Sequence, residues 1–325
     1  MATDKDKNTE ANTQAKPIDF TPARAVVQDG GVITPQSLPD DLTDRQARVM
    51  SVLPDAAAAT GVAPELLVGM WGRESEFSTH DTMTSPTGVK GDFQVSRVAV
   101  VETLAKNGGE IAERLDAQGL KKQADKIEKI HEKAKDMDGD EIRSFVKKNG
   151  NLIDSLREAP EATTYTAAFY SKDIAQKLDV DPAEPDSFPI VYAGYNIGPG
   201  NAQKLQDGKA ASGWEVDANK GLAGKASADK QISSYEKAIE KKLEDPTGQK
   251  MLSIVEDVQE QACRPGKSAA ATYAPEGELQ ASMPALRTAF SIAALGDYQR
   301  AGTTVDATME QQFRQAPIAP PMPGA

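Results

Sequence analysis

The sequence predicts a mainly α-helical protein, and three observations predict it. Between Pro64 and Glu74, the residues Leu67, Met70, Trp71 and Glu74 fall at i, i+3, i+4 and i+7, the spacing that shares one helix face. Thr43 and Gln46 have the spacing of a capping box just before an apolar, Ala-rich run. From Lys106 to Lys148 the composition shifts to Lys, Glu, Asp, Ala and Gln, while Ile111, Leu115, Ile127, Ile130 and Ala134 recur at helical intervals.

Taken in order, residues 1 to 42 are polar and Pro-containing and read as a disordered arm or a docking arm. A first helix is expected over Asp44 to Thr60, with Val49, Val52 and Leu53 inward, ending at Gly61. Pro64 opens a second, to Phe77, because its fixed φ suits the first helical position and its missing N–H costs nothing there. Ser78 to Lys90 carries the turn signals Pro86 and Gly88. From Asp92 the apolar residues Phe93, Val95, Val98, Val100 and Val101 suit a short strand or a helical return. The 106–148 stretch reads as a charged helical insertion broken at Gly119 and Gly139. Its acidic run from Asp136 to Glu141 mimics a calcium loop, but the glycine comes two places early and Lys147 stands at position twelve. One or two helices follow over Asn151 to Asp179, then Pro182, Pro185 and Pro189 break the chain. A helical turn after them would group Tyr192, Tyr195 and Asn196, ending at Gly198, Pro199 and Gly200. Asp207 to Asp229 reads as a loop around Trp214, and a helix pair is expected over Asp229 to Glu244 and Thr247 to Ala262. The 246–325 segment adds one short helix, Pro284 to Leu295, and a Pro-rich tail.

Composition excludes several classes of function. The chain of 325 residues, 39% hydrophobic, is long enough to bury a core. Its formal net charge of -12 argues against a nucleic-acid partner, which requires a positive surface to release counterions. One cysteine, Cys263, and two histidines, His80 and His131, leave no internal disulfide and no zinc-spaced cluster, so neither metal nor cofactor is expected. No run of about 20 apolar residues offers a membrane span, and the polar N-terminal stretch lacks a signal-peptide h-region. The expected product is soluble and reaches any extracytoplasmic site by a route other than the general secretory one.

The chemistry concentrates at Glu74. A carboxylate on the packed face of a helix is desolvated, which raises its pKa and suits a general acid. Three ordered stretches then stand out: Glu74-Ser75-x-Phe77, SPTGVKGDFQ from Ser85 to Gln94, and AGYNIGPGN from Ala193 to Asn201. Together they resemble the motifs of the soluble lytic transglycosylase family, E-S-x-F, S-x-x-G-A-x-G-L-M-Q and A-Y-N-A-G-P-G. The resemblance covers roughly Pro64 to Asn201, about half of the chain.

The resemblance implies a lysozyme-like (α+β) catalytic domain over 43–245, with the charged helical insertion inside it, acting on peptidoglycan glycan strands. It implies Glu74 as the one catalytic carboxylate and Ser75 as a neighbour fixing Glu74 or the substrate. Phe93 and Gln94 would line the cleft, Tyr195 and Asn196 would close it, and Tyr235 would stand where the family has a late tyrosine. Tyr192 lies one turn earlier and suits either the core or the site. In that family a protonated carboxyl donates to the leaving glycosidic oxygen, the substrate's N-acetyl group assists, and the C6 hydroxyl attacks C1 to leave a 1,6-anhydro end without water. Two departures bear on this. Gly91-Asp92-Phe93-Gln94 replaces G-L-M-Q, so that Asp92 either faces solvent, caps a turn, or serves as a second carboxylate that turns the reaction toward hydrolysis, as in a lysozyme. Gly194 replaces the usual alanine, with little expected effect beyond slightly looser packing. A wall substrate together with a signal-free N-terminus implies a phage-borne protein, or export by a specialised secretion machine whose proteins the terminal tails would dock. The rival from another class is a structural or wall-binding module with little turnover.

Overall fold

The computed structural model describes residues 38–79, 90–213 and 226–263. All lie in the first of two compact units, Met1–Arg264 and Pro265–Ala325. The expected arm before residue 38, Trp214, the Pro284 to Leu295 helix and the tail lie outside the described residues. The fold is mainly α-helical. No β-strand occurs among the described residues, so the sheet part of the α+β expectation has no counterpart there. None of the described helices is long and apolar enough to cross a membrane.

The helices are α1 (Asp44–Met50), α2 (Leu53–Thr60), α3 (Pro64–Ser75), α4 (Arg97–Ala117), α5 (Lys121–Ala134), α6 (Gly139–Lys148), α7 (Gly150–Arg157), α8 (Pro160–Leu178), α9 (Phe188–Ile197), α10 (Pro199–Gln206), α11 (Ala228–Leu243) and α12 (Pro246–Cys263). The Thr43–Gln46 capping box forms in both directions. The single helix expected over Asp44 to Thr60 is two, because Pro54 has no N–H to bond the preceding turn and disfavours helical geometry at the residue before it. The apolar run after Asp92 is a helical return: Ser96 caps Ala99 N–H at 3.2 Å and α4 runs unbroken into the charged region.

The 106–148 region is therefore less separate than its composition suggests. Ile111 and Leu115 of α4 and Ile127 and Ile130 of α5 are fully buried, and Gly108 lets the two helices close up, since a Cβ there would stand 2.6 Å from that of His131. Gly119, at φ +75°, makes the turn between them. The calcium-like acidic run is a helix start: Asp138 accepts the N–H groups of Asp140 and Glu141 at 2.9 Å each, and Glu141 returns the bond. Arg48 grips Glu161 with two hydrogen bonds, and Gln123 of α5 donates to the same carboxylate at 2.9 Å, which ties the hairpin to the core.

Helix α8 is the central pillar, buried on nearly every face and packed by α1, α2, α4, α7, α9 and α10. On the other side, α3 is covered by α11 and α12. The helix at 246–263, grouped by composition with the C-terminal segment, thus packs into the core through Met251, Ile254 and Val255. Gly69 on α3 lets α11 lie close against it, because a Cβ there would come within 2.8 Å of Ile239 on α11.

Candidate active site

Glu74 stands in the last turn of α3, a helix whose remaining inner positions, Leu67, Met70 and Trp71, are fully buried. The chain then does something costly. Glu76, Phe77 and Ser78 all have left-handed backbone angles, at φ 50°, 55° and 60°. Each non-glycine residue in that region costs about 1–2 kcal/mol, and three in a row persist only where the surroundings impose them.

The surroundings do impose them. Ser75 Oγ accepts the Ser78 N–H at 3.2 Å, and Gln46 donates to the Phe77 carbonyl at 3.0 Å. The Phe77 ring tucks beneath the helix, edge-on to Trp71 at 5.5 Å, in space that exists because residue 72 is glycine. Lys242 of α11 pairs with Glu76. Ser78 Oγ receives the Trp71 indole N–H at 2.7 Å and donates to Asp92 at 2.5 Å. Asp92 in turn is held by both arms of Arg45, at 2.7 and 2.9 Å, and is completely buried.

The second approach to Glu74 is the loop 90–95. Gly91 sits at φ +84°, and a Cβ on it would fall 1.8 Å from the Arg157 carbonyl, so only glycine fits. Arg157 donates to the Val95 carbonyl at 2.7 Å, and Tyr195 donates to the Phe93 carbonyl at 2.7 Å. Between these pins Gln94 adopts φ 49° and bonds the Gly91 carbonyl at 2.7 Å.

The third approach is α9. Pro189 lies in its first turn and Gly198, at φ +82°, ends it. One turn of this helix presents Tyr192 and Asn196 to Glu74. The Tyr192 hydroxyl donates to Glu74 Oε1 at 2.8 Å, and the Asn196 side chain also hydrogen-bonds the carboxylate. Tyr235 of α11 backs both, donating to Asn196 Oδ1 at 3.4 Å and meeting the Tyr192 ring edge-on at 5.5 Å. Gly194 is not the slack replacement expected: a Cβ there would stand 2.4 Å from Ile174 Cγ2, so this glycine lets α9 lie close on α8.

Burial pushes the Glu74 carboxyl up to about 7, against the pull of the Tyr192 hydrogen bond, the Arg73 charge and the Asn196 hydrogen bond. Burial, and then the Glu74 charge, holds the Tyr192 hydroxyl well above the ordinary phenol range, so it stays a neutral donor. Tyr195 and Tyr235 are raised for the same two reasons. A carboxyl with a proton affinity near neutrality can give a proton and take one back.

Comparison with known protein families, curated proteins and solved structures finds no match.

The residues named from sequence divide by access. Glu74, Gln94, Tyr195 and Asn196 keep part of their surface open, and Asn196 hydrogen-bonds Glu74 while Tyr195 feels its charge. Ser75, Phe93 and Tyr235 are instead buried. Ser75 spends its hydroxyl on the Trp71 carbonyl and the Ser78 N–H. Phe93 contributes a carbonyl to Tyr195, with its ring in the core. Tyr235 supports Asn196 and Tyr192 from behind. Asp92 faces neither solvent nor a substrate, since Arg45 and Ser78 occupy its oxygens. Sequence reasoning left Tyr192 between core and site. It is both: fully buried, with its hydroxyl on the carboxylate.

Proposed function

We propose that the protein is a peptidoglycan lytic transglycosylase with a lysozyme-like catalytic domain. It would cleave the β-1,4 bond between N-acetylmuramic acid and N-acetylglucosamine and leave a 1,6-anhydro end. The observation that carries this reading is the contrast between the two carboxylates. Glu74 holds a proton near neutrality beside Tyr192 and Asn196, whereas Asp92, the second carboxylate a hydrolase would draw on, is locked to Arg45.

In this mechanism protonated Glu74 donates to the glycosidic oxygen as the C1–O bond breaks, and the substrate's own acetamido oxygen closes on C1. Glu74, now ionised and steadied by Tyr192 and Asn196, takes the proton of the C6 hydroxyl. O6 then displaces the acetamido oxygen from C1, and Glu74 ends protonated as it began. No water is consumed. Gln94 and the open edges of Tyr195 and Asn196 serve to orient the ring, which is the positioning that a substrate-assisted route demands.

Glu74→Gln tests the assignment. Clearing of a suspension of purified sacculi should fall by about 10²–10⁴-fold, the usual contribution of a general acid and base, with the fold retained. Undiminished clearing by this variant would end the assignment, and so would a wild-type protein that clears nothing.

A further inference from the structure

Beyond the catalytic glutamate, the site extends along α8. Tyr170 lies against Tyr195, ring centroids 5.4 Å apart and planes tilted by 52°. Both residues are largely buried, and each keeps a minor part of its surface exposed. The Tyr195 ring is fixed by its hydroxyl on the Phe93 carbonyl, and Tyr170 is fixed by α8 beneath it. The Tyr170 hydroxyl makes no hydrogen bond with the described residues, although the rest of this neighbourhood is closely bonded. It faces polar company. Asp173 stands one turn further along α8, its side chain 12% exposed, with Asn107 of α4 donating to it at 3.3 Å and the Lys106 ammonium paired with it at 3.6 Å. Glu102 of α4 also bears on Tyr170.

A partly exposed aromatic pair rimmed by a carboxylate, an amide and an ammonium matches the two-sided chemistry of a pyranose. The ring's axial C–H groups form an apolar face that lies on an aromatic side chain, and its equatorial hydroxyl and acetamido groups reach polar partners at the edge. Tyr195 directly precedes Asn196, whose side chain touches Glu74, so the pair adjoins the reacting bond.

We propose that Tyr170 and Tyr195 form a platform that receives one N-acetylated hexosamine ring of the glycan beside Glu74, with Asp173 and Asn107 binding that ring's polar edge. This rests on the glycan-cleaving reading of Glu74 and adds to it a binding surface on α8. Tyr170 binds the chain and takes no part in proton transfer.

The test is binding of N-acetylglucosamine hexamer to the full chain carrying Glu74→Gln, measured by titration calorimetry, with Tyr170 varied in that background. Tyr170→Phe keeps the face and should bind within about twofold of its parent. Tyr170→Leu keeps apolar volume for packing but removes the face, and should weaken binding by about tenfold, the scale of one aromatic contact. Equal affinity of the Leu variant and its parent would overturn the platform while leaving the catalytic reading intact. Binding that depends on Tyr170, in a protein whose wild type releases nothing from sacculi, would keep the platform and overturn catalysis. Absence of any binding would overturn the platform, and muropeptide release by the wild type would then show whether the catalytic reading survives.

Discussion

Two carboxylates near the C-terminal end of one helix have been given opposite treatment. Asp92 is the more deeply buried, yet its charge is matched by a two-armed Arg45 and a serine hydroxyl. Glu74 keeps partial access to solvent, yet receives only neutral donors from Tyr192 and Asn196. Depth of burial therefore does not decide which role a carboxylate can take. The partner does: a fixed cation makes a carboxylate a rivet, and neutral donors leave it able to hold a proton.

The rivet also makes the position of Glu74 sustainable. Asp92 braces Ser78, which braces Trp71 and the left-handed turn directly after Glu74. The backbone strain of Glu76 to Ser78 is thus offset by the ion pair, the capping serine and the Phe77 ring. Strain next to a catalytic candidate, held by otherwise rigid packing, is the usual arrangement at functional sites.

If this division is right, the two acids should respond in opposite directions to neutralisation. Asp92→Ala leaves Arg45 with only the Glu158 carbonyl as partner and Ser78 unbraced, and should cost about 3 kcal/mol of stability in denaturant titration. The product should not change. A D92A protein of ordinary stability, or one whose products shift, would break the comparison.

Glu74→Gln should do the reverse and stabilise the fold at high pH. The folded-state affinity for the proton is raised, to about 7 from the ordinary 4.5. Its stabilising contribution is therefore complete below the unfolded value and is lost as pH rises through about 7. Above that, folding carries the cost of an ionised, poorly solvated carboxylate. At pH 8 the glutamine variant should gain roughly 2–3 kcal/mol, at about 1.36 kcal/mol per pKa unit and less whatever solvent reaches the group. The gain should vanish near pH 4, and thermal melts at the two pH values read it directly.

The smallest expected effect sharpens the role of Tyr192. Tyr192→Phe removes a donor that favours ionised Glu74, so the acid should keep its proton to higher pH. The alkaline limb of kcat/KM should move upward by about one unit or less, with little change in stability. A limb that does not move would reduce Tyr192 to packing.

What the sequence disclosed follows the reach of each interaction. The capping box at Thr43, the face of α3, the turn at Gly119 and the grouping of Tyr192, Tyr195 and Asn196 are all local, set by spacing and by glycine or proline. The helix break at Pro54 is just as local, yet the single helix expected over Asp44 to Thr60 runs through it, although a proline there cannot continue the preceding turn. What stayed hidden depends on partners far along the chain. Asp92 meets Arg45 across 47 residues, Tyr235 reaches Asn196 across 39, and Phe93 shows its carbonyl where a ring was expected to line the cleft. No local pattern marks Tyr170 as Tyr195's neighbour.

The central claim is that one glutamate, acting as acid and then base without water, cuts the glycan. Mass spectrometry of muropeptides released from purified sacculi tests it most directly. The expected products carry 1,6-anhydro ends, appear with the wild-type chain and disappear with Glu74→Gln. Reducing ends in their place, or anhydro products that persist in the variant, would contradict it.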